Sequence, residues 1–160
     1  MTPVTAFAKP SREQNWLPLL ERATQEVFEI MLGCKVTLAE PSEHKAPGGF
    51  TAIVGLAGAL CGVVTVCCGT KTANQIAKGM LGDTADSAGQ AVDALGEMCN
   101  MIAGNFKNKL SGTDDRCMLS VPTVISGGEY SFHSLADGTC LETVLLFEGA
   151  PIAVRLQLES

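Results

Sequence analysis

The sequence predicts an α+β fold in which helices pack on a largely antiparallel β-sheet. Three observations predict it. Segments with helical spacing of apolar residues dominate up to Gly112, Val- and Thr-rich runs recur between Gly-containing turns after it, and one apolar hairpin pattern is set between the helices. With 160 residues, 46% of them hydrophobic, the chain suits one domain with one core. Residues 1–14, with Pro3 and Pro10, read as a flexible leader, and 15–160 as the single domain.

The elements follow in order. Asn15 is placed to cap a first helix, Pro18 falls in its first turn, and Leu20, Ala23, Val27, Ile30 and Met31 recur at helical spacing until Gly33. A short strand from Lys35 to Ala39 precedes a loop of Pro41 to Pro47 with Gly48 and Gly49. Phe50 to Leu56 and Leu60 to Cys68 read as a hairpin turning around Gly58, apolar enough on both faces that at least one strand is covered on both sides. Thr70 or Thr72 is the candidate cap of a second helix carrying Ala73, Ile76, Ala77 and Met80, closed by Gly82. A third helix runs from about Asp86 to Leu110. Candidate strands after it are Arg116 to Val121, Thr123 to Ser126, Glu129 to Leu135, Leu141 to Glu148 and Pro151 to Glu159, with turns at Gly127-Gly128, Asp137-Gly138 and Glu148-Gly149. In the last strand Ile152, Val154, Leu156 and Leu158 form a buried face, and Ala153, Arg155, Gln157 and Glu159 a wet one.

Composition excludes several functions. A formal charge of −6 with scattered Lys and Arg gives no footprint for nucleic acid. No apolar run is long enough to span a membrane and none resembles a signal peptide, so a cytoplasmic protein is expected. The seven cysteines form no Cys-x-x-Cys pair, and adjacent Cys67 and Cys68 would point to opposite faces of a strand. The apolar neighbourhoods of Cys61, Cys67, Cys99 and Cys140 suggest reduced, buried thiols and no metal site. His44 and His133 lie in no motif that would pair them with a nucleophile, which disfavours a thiol or zinc enzyme.

Candidate chemistry concentrates on the third helix, DSAGQAVDALGEMCNMIAGNFKNKL. At about 100° per residue, with Asp93 at zero, Glu97 lies near 40°, Asn100 near −20° and Gly104 near 20°. Leu95, Cys99, Ile102, Ala103, Phe106 and Leu110 fall on the opposite side, roughly between 180° and 280°. One face belongs to the core. The other presents Asp93, Glu97 and Asn100 in a narrow stripe, with Gly104 leaving the next turn bare. A polar stripe alone is what any solvated helix shows.

The pattern of Asp93, Glu97 and Asn100, followed after 21 residues by Pro122 in LSVPTVISG, resembles the signature of the CheC, CheX and FliY phosphatases. The proline comes one residue sooner than is usual there. CGVVTVCCGTKTANQIAKGMLG before the signature and LLERATQEVFEIMLG near the start also resemble that family, so the likeness covers about residues 16 to 158. The first helix offers no second Glu-x-x-Asn, since Glu21 precedes Thr24 and Glu26 precedes Glu29, which favours CheX over CheC.

The resemblance implies a phosphatase that hydrolyses the aspartyl-phosphate of a CheY-like response regulator, in chemotaxis or related two-component signalling. Asn100 would hold the attacking water, a task for a neutral group that donates and accepts, and Glu97 would pair with the regulator's active-site lysine. Asp93 and Gly104 would meet the partner at the contact edge. The family needs no cofactor of its own, because the regulator carries the Mg2+, and its members form homodimers. Pro122 reads first as a stiff entry to the next strand. The alternative is a catalytically silent CheX-like module that binds a response regulator; retention of both Glu97 and Asn100 speaks for the phosphatase.

Overall fold

The computed structural model describes residues 16–40, 48–58, 60–82, 88–110, 117–127, 138 and 140–159. In chain order they form α1 (Trp16–Leu32), β1 (Thr37–Leu38), β2 (Gly49–Gly58), β3 (Gly62–Cys68), α2 (Thr70–Leu81), α3 (Ala88–Lys109), β4 (Cys117–Leu119), β5 (Thr123–Gly127), β6 (Cys140–Phe147) and β7 (Ala150–Leu158). The expected leader, Asn15, His44, His133 and the strand expected from Glu129 to Leu135 lie outside the described residues.

Among the described residues, every strand pairing is antiparallel. The seven-stranded sheet has the order β1-β6-β7-β3-β2-β4, with β5 also on β2. Alternation decides which face is covered. Phe50, Ala52, Val54 and Leu56 of β2, Val64, Val66 and Cys68 of β3, and Ile152, Val154, Leu156 and Leu158 of β7 join one core with the helices. The α+β arrangement expected from the sequence is the one observed. The hairpin β2–β3 is in register from Phe50 opposite Cys68 to Leu56 opposite Gly62. Between β6 and β7 the turn residues Glu148 (φ 50°) and Gly149 (φ 83°) both take positive φ, as a tight hairpin turn requires.

Several local expectations are corrected. The strand expected from Lys35 to Ala39 is only Thr37–Leu38. Neither Thr70 nor Thr72 caps α2: Gly69 occupies the N-cap without a side-chain bond, and Thr72 is buried. The chain has only Gly69 between β3 and α2, which leaves no residue for a threonine cap. The wet face of β7 is less wet than the alternation implies, because Ala153 is buried while Arg155 pairs with Glu142 on β6. Among the thiols, Cys99 is buried as expected, but Cys140 is exposed and Cys61 and Cys67 are half-buried. Cys140 opens β6 and Cys61 precedes β3, where strand ends thin the cover; Cys67 lies on the face away from the helices. Cys67 and Cys68 do point to opposite faces. All seven cysteines are free, and burial pushes the Cys68 and Cys99 thiols up to about 12.

α3 is the central helix. Leu95, Cys99, Ile102, Ala103, Phe106 and Leu110 are buried, as the core face read from the sequence expects, and Ala91, Ala94 and Met98 widen that face beyond it. Its thiol at Cys99 reaches the carbonyls of Ala52 and Val64, so the helix lies directly on the hairpin β2–β3. Trp16 of α1 meets Phe106 edge to face, with ring centroids 6.5 Å apart.

Candidate active site

Packing one side of α3 into the core forces its opposite side outward. Asp93 and Glu97 are exposed and Asn100 is half-buried, with Gly104 half-exposed one turn beyond. At a rise of about 1.5 Å per residue, Asp93 to Asn100 span roughly 10 Å of helix, all on one face. The structure thus brings together all four residues singled out from the sequence. Among the described residues, the side chains of Asp93, Glu97 and Asn100 make no hydrogen bond or ion pair. They are uncommitted.

The rest of the polar surface of α3 behaves differently. Asn105 Nδ2 donates to Glu26 Oε2 at 3.1 Å, and Lys109 Nζ lies 3.0 Å from Glu26 Oε1. These bonds, the one to Lys109 first, hold the Glu26 carboxyl below the usual carboxylate range. Glu21 accepts a hydrogen bond from Thr143 at 2.9 Å. Glu21 and Glu26, the acids a second site on α1 would need, are engaged in holding the fold.

A lip from the sheet edge borders the stripe. β4 and β5 pair with successive stretches of β2, and Ser120 bridges the gap: its N–H donates to Gly55 O at 2.9 Å and its Oγ accepts from Gly55 N at 2.8 Å. Val121, 84% exposed, and Pro122 are thereby pushed out of the ladder, as in a bulge. Pro122 does lead into β5, and it also joins Val124, Val92, Asp93, Gly96 and Glu97 around a shallow hollow. Sequence reasoning missed Gly96, Ser120 and Val124. A glycine inside a long helix, one turn before Asn100, was the signal available for the first; the Ser120–Gly55 lock joins residues far apart in the chain and left none.

These features meet in a known family. The family model for the chemotaxis phosphatase CheX matches residues 50–145, which include the hairpin, α2, α3 with its whole stripe, and the lip. The chain belongs to the CheX family. Solved structures agree. The chemotaxis protein CheX of Desulfovibrio desulfuricans is 26% identical with a TM-score of 0.77, the match covering 91% of this chain and 99% of that one. A putative chemotaxis protein of Desulfovibrio vulgaris Hildenborough is 25% identical with a TM-score of 0.79, covering 91% and 97%. A Borrelia burgdorferi CheX, solved in complex with CheY, BeF3 and Mg2+, shares the fold at 22% identity and a TM-score of 0.73, covering 91% and 98%. None of the curated proteins compared matches the chain.

For this CheX-family chain, the chemistry available is that of positioned carboxylates and one amide. Among the described residues, no group of three or more His, Cys, Asp or Glu side chains could hold a metal, and no helix is long and apolar enough to cross a membrane. The buried thiols Cys68 and Cys99 lie on the core side, away from the stripe.

Proposed function

We propose that this protein hydrolyses the aspartyl-phosphate of a CheY-like response regulator, in chemotaxis or a related two-component pathway of the cytoplasm. The observation that carries this reading is the uncommitted amide of half-buried Asn100 beside exposed, uncommitted Glu97, in a chain of the chemotaxis phosphatase family. Asn100 accepts a hydrogen bond from one O–H of the attacking water and holds its oxygen in line with the scissile bond, where positioning supplies most of the acceleration. A carboxylate at that position would repel the phosphoryl oxygens. Glu97, one turn away, pairs with the regulator's active-site lysine, and Asp93 meets the partner at the edge. Gly104 leaves the following turn free of side chain, so the regulator's loops can close around Asn100. The regulator carries the Mg2+ that neutralises the phosphoryl oxygens; this chain contributes no cofactor.

The Borrelia burgdorferi CheX caught with CheY and BeF3 supports the choice of partner. A homodimer joined through the sheets completes the proposal, since the half-buried Ile53, Cys67 and Val144 lie on the sheet face opposite the helices. The test is a panel of phosphorylated response regulators, each followed for loss of phosphate with and without this protein. Faster loss from one or a few regulators is expected. Binding with no acceleration would instead make the chain a silent receiver-binding module.

A further inference from the structure

The hollow beside the stripe has no part in the water-positioning chemistry. Val92, Asp93, Gly96 and Glu97 of α3 line one side and Pro122 and Val124 the other, around about 260 Å3. Pockets for free small molecules run from roughly 300 Å3 upward and enclose their ligand. This smaller, open hollow suits a single side chain of a docked protein. Its chemistry is divided: Val92, Pro122 and Val124 are apolar, Asp93 and Glu97 stand exposed at the rim, and no described basic residue lines it.

Gly96 is buried at the floor of the hollow, where α3 and the lip approach each other most closely. A glycine weakens a helix interior relative to alanine, so it calls for a reason. Packing does not provide one: a Cβ at Gly96 would lie 3.4 Å from Val124 Cγ2 and 3.5 Å from Pro122 Cβ, which are ordinary contacts. The methyl group would instead enter the space between α3 and the lip. The opposite wall is fixed, because Ser120 ties the lip to Gly55 through two hydrogen bonds.

We propose that this hollow receives a lysine or arginine side chain from the surface of the regulator's receiver domain, with its aliphatic stem against Pro122 and Val124 and its charged head at Asp93. The proposal rests on the response-regulator reading above and assigns recognition to Asp93, Gly96 and the lip, leaving Glu97 to the active-site lysine. Long basic side chains lay their stems on apolar surface while the head keeps a polar partner. A charge pair at the rim of an interface fixes register and speeds encounter.

The test titrates purified receiver domains, activated with BeF3 and Mg2+, against wild type, Gly96→Ala and Asp93→Asn at low and high salt. Gly96→Ala should bind at least about fivefold more weakly with an unlowered melting temperature, and Asp93→Asn should weaken binding at low salt and flatten its salt dependence. Wild-type affinity in Gly96→Ala, or an unchanged salt dependence in Asp93→Asn, overturns the proposal. If wild type binds an activated receiver but never speeds hydrolysis, the phosphatase reading fails while these variants still decide the hollow. If no receiver in the panel binds wild type, both fall.

Discussion

Asn100 and Asn105 sit on the same helix, both half-buried, and do opposite things. Asn105, turned about 120° from Asp93 on the helical wheel, borders the core and faces α1, where Glu26 takes its amide and the Lys109 ammonium together. Asn100, near −20°, faces away from α1 and keeps its amide free among the described residues. Residue type does not separate a polar group engaged by the fold from one the fold leaves free. What separates them is whether the fold supplies a partner.

The contrast can be broken from either side. The largest effect is expected from Glu97→Lys, which sets a cation where the regulator's lysine must approach: binding to the BeF3-activated receiver should fall by more than about tenfold, while the melting temperature stays within the narrow range usual for surface changes. Loss of fold instead would mean that the stripe belongs to the core. Next comes Cys99→Ala on the core side, which removes buried volume over the hairpin and should cost of order 1 kcal/mol in chemical denaturation without abolishing dephosphorylation. A companion measurement is alkylation of the native protein near pH 8. Cys140 should react, and Cys68 and Cys99 should not, because burial pushes both thiols up to about 12.

The smallest effect should come from Glu26→Gln. Its ion pair with Lys109 is partly exposed, at 40% for the carboxylate, so the loss at pH 7 should be about 0.2–1 kcal/mol. The sign with pH is fixed by the lowered carboxyl: the contribution is present above the unfolded value, about 4.3, and disappears as pH falls through the folded one. The melting-temperature gap between wild type and Glu26→Gln should therefore close on acidification. A gap that widens in acid would reverse the assignment of Glu26 as the anion of this pair.

How much of this was legible in the sequence follows the same division. The faces of α3 were readable because Leu95, Cys99, Ile102 and Phe106 recur at the helical period, and that period places Asp93, Glu97, Asn100 and Gly104 opposite. The β6–β7 turn was readable from Gly149, since glycine accepts a positive φ without strain, while the positive φ of Glu148 had no signal in its residue type. The cap of α2 was misread because threonine is a good cap in general, whereas a single glycine joins strand to helix here. Cys140 and Cys61 were misread because apolar neighbours in sequence do not guarantee cover at the end of a strand. The Ser120 lock on Gly55 and the engagement of Glu26 by Asn105 and Lys109 link positions far apart in the chain, and nothing local announces them.

The most direct test sets Asn100→Ala beside Asn105→Ala, measuring thermal stability and the loss of phosphate from an excess of phosphorylated regulator at matched concentrations. Asn100→Ala should keep its stability within about 0.5 kcal/mol yet lower the maximal rate by an order of magnitude or more, with binding largely kept. Asn105→Ala should lose stability, by about 1 kcal/mol, and the folded fraction should turn over normally. Unfolding of Asn100→Ala, or full activity in it, would contradict the account.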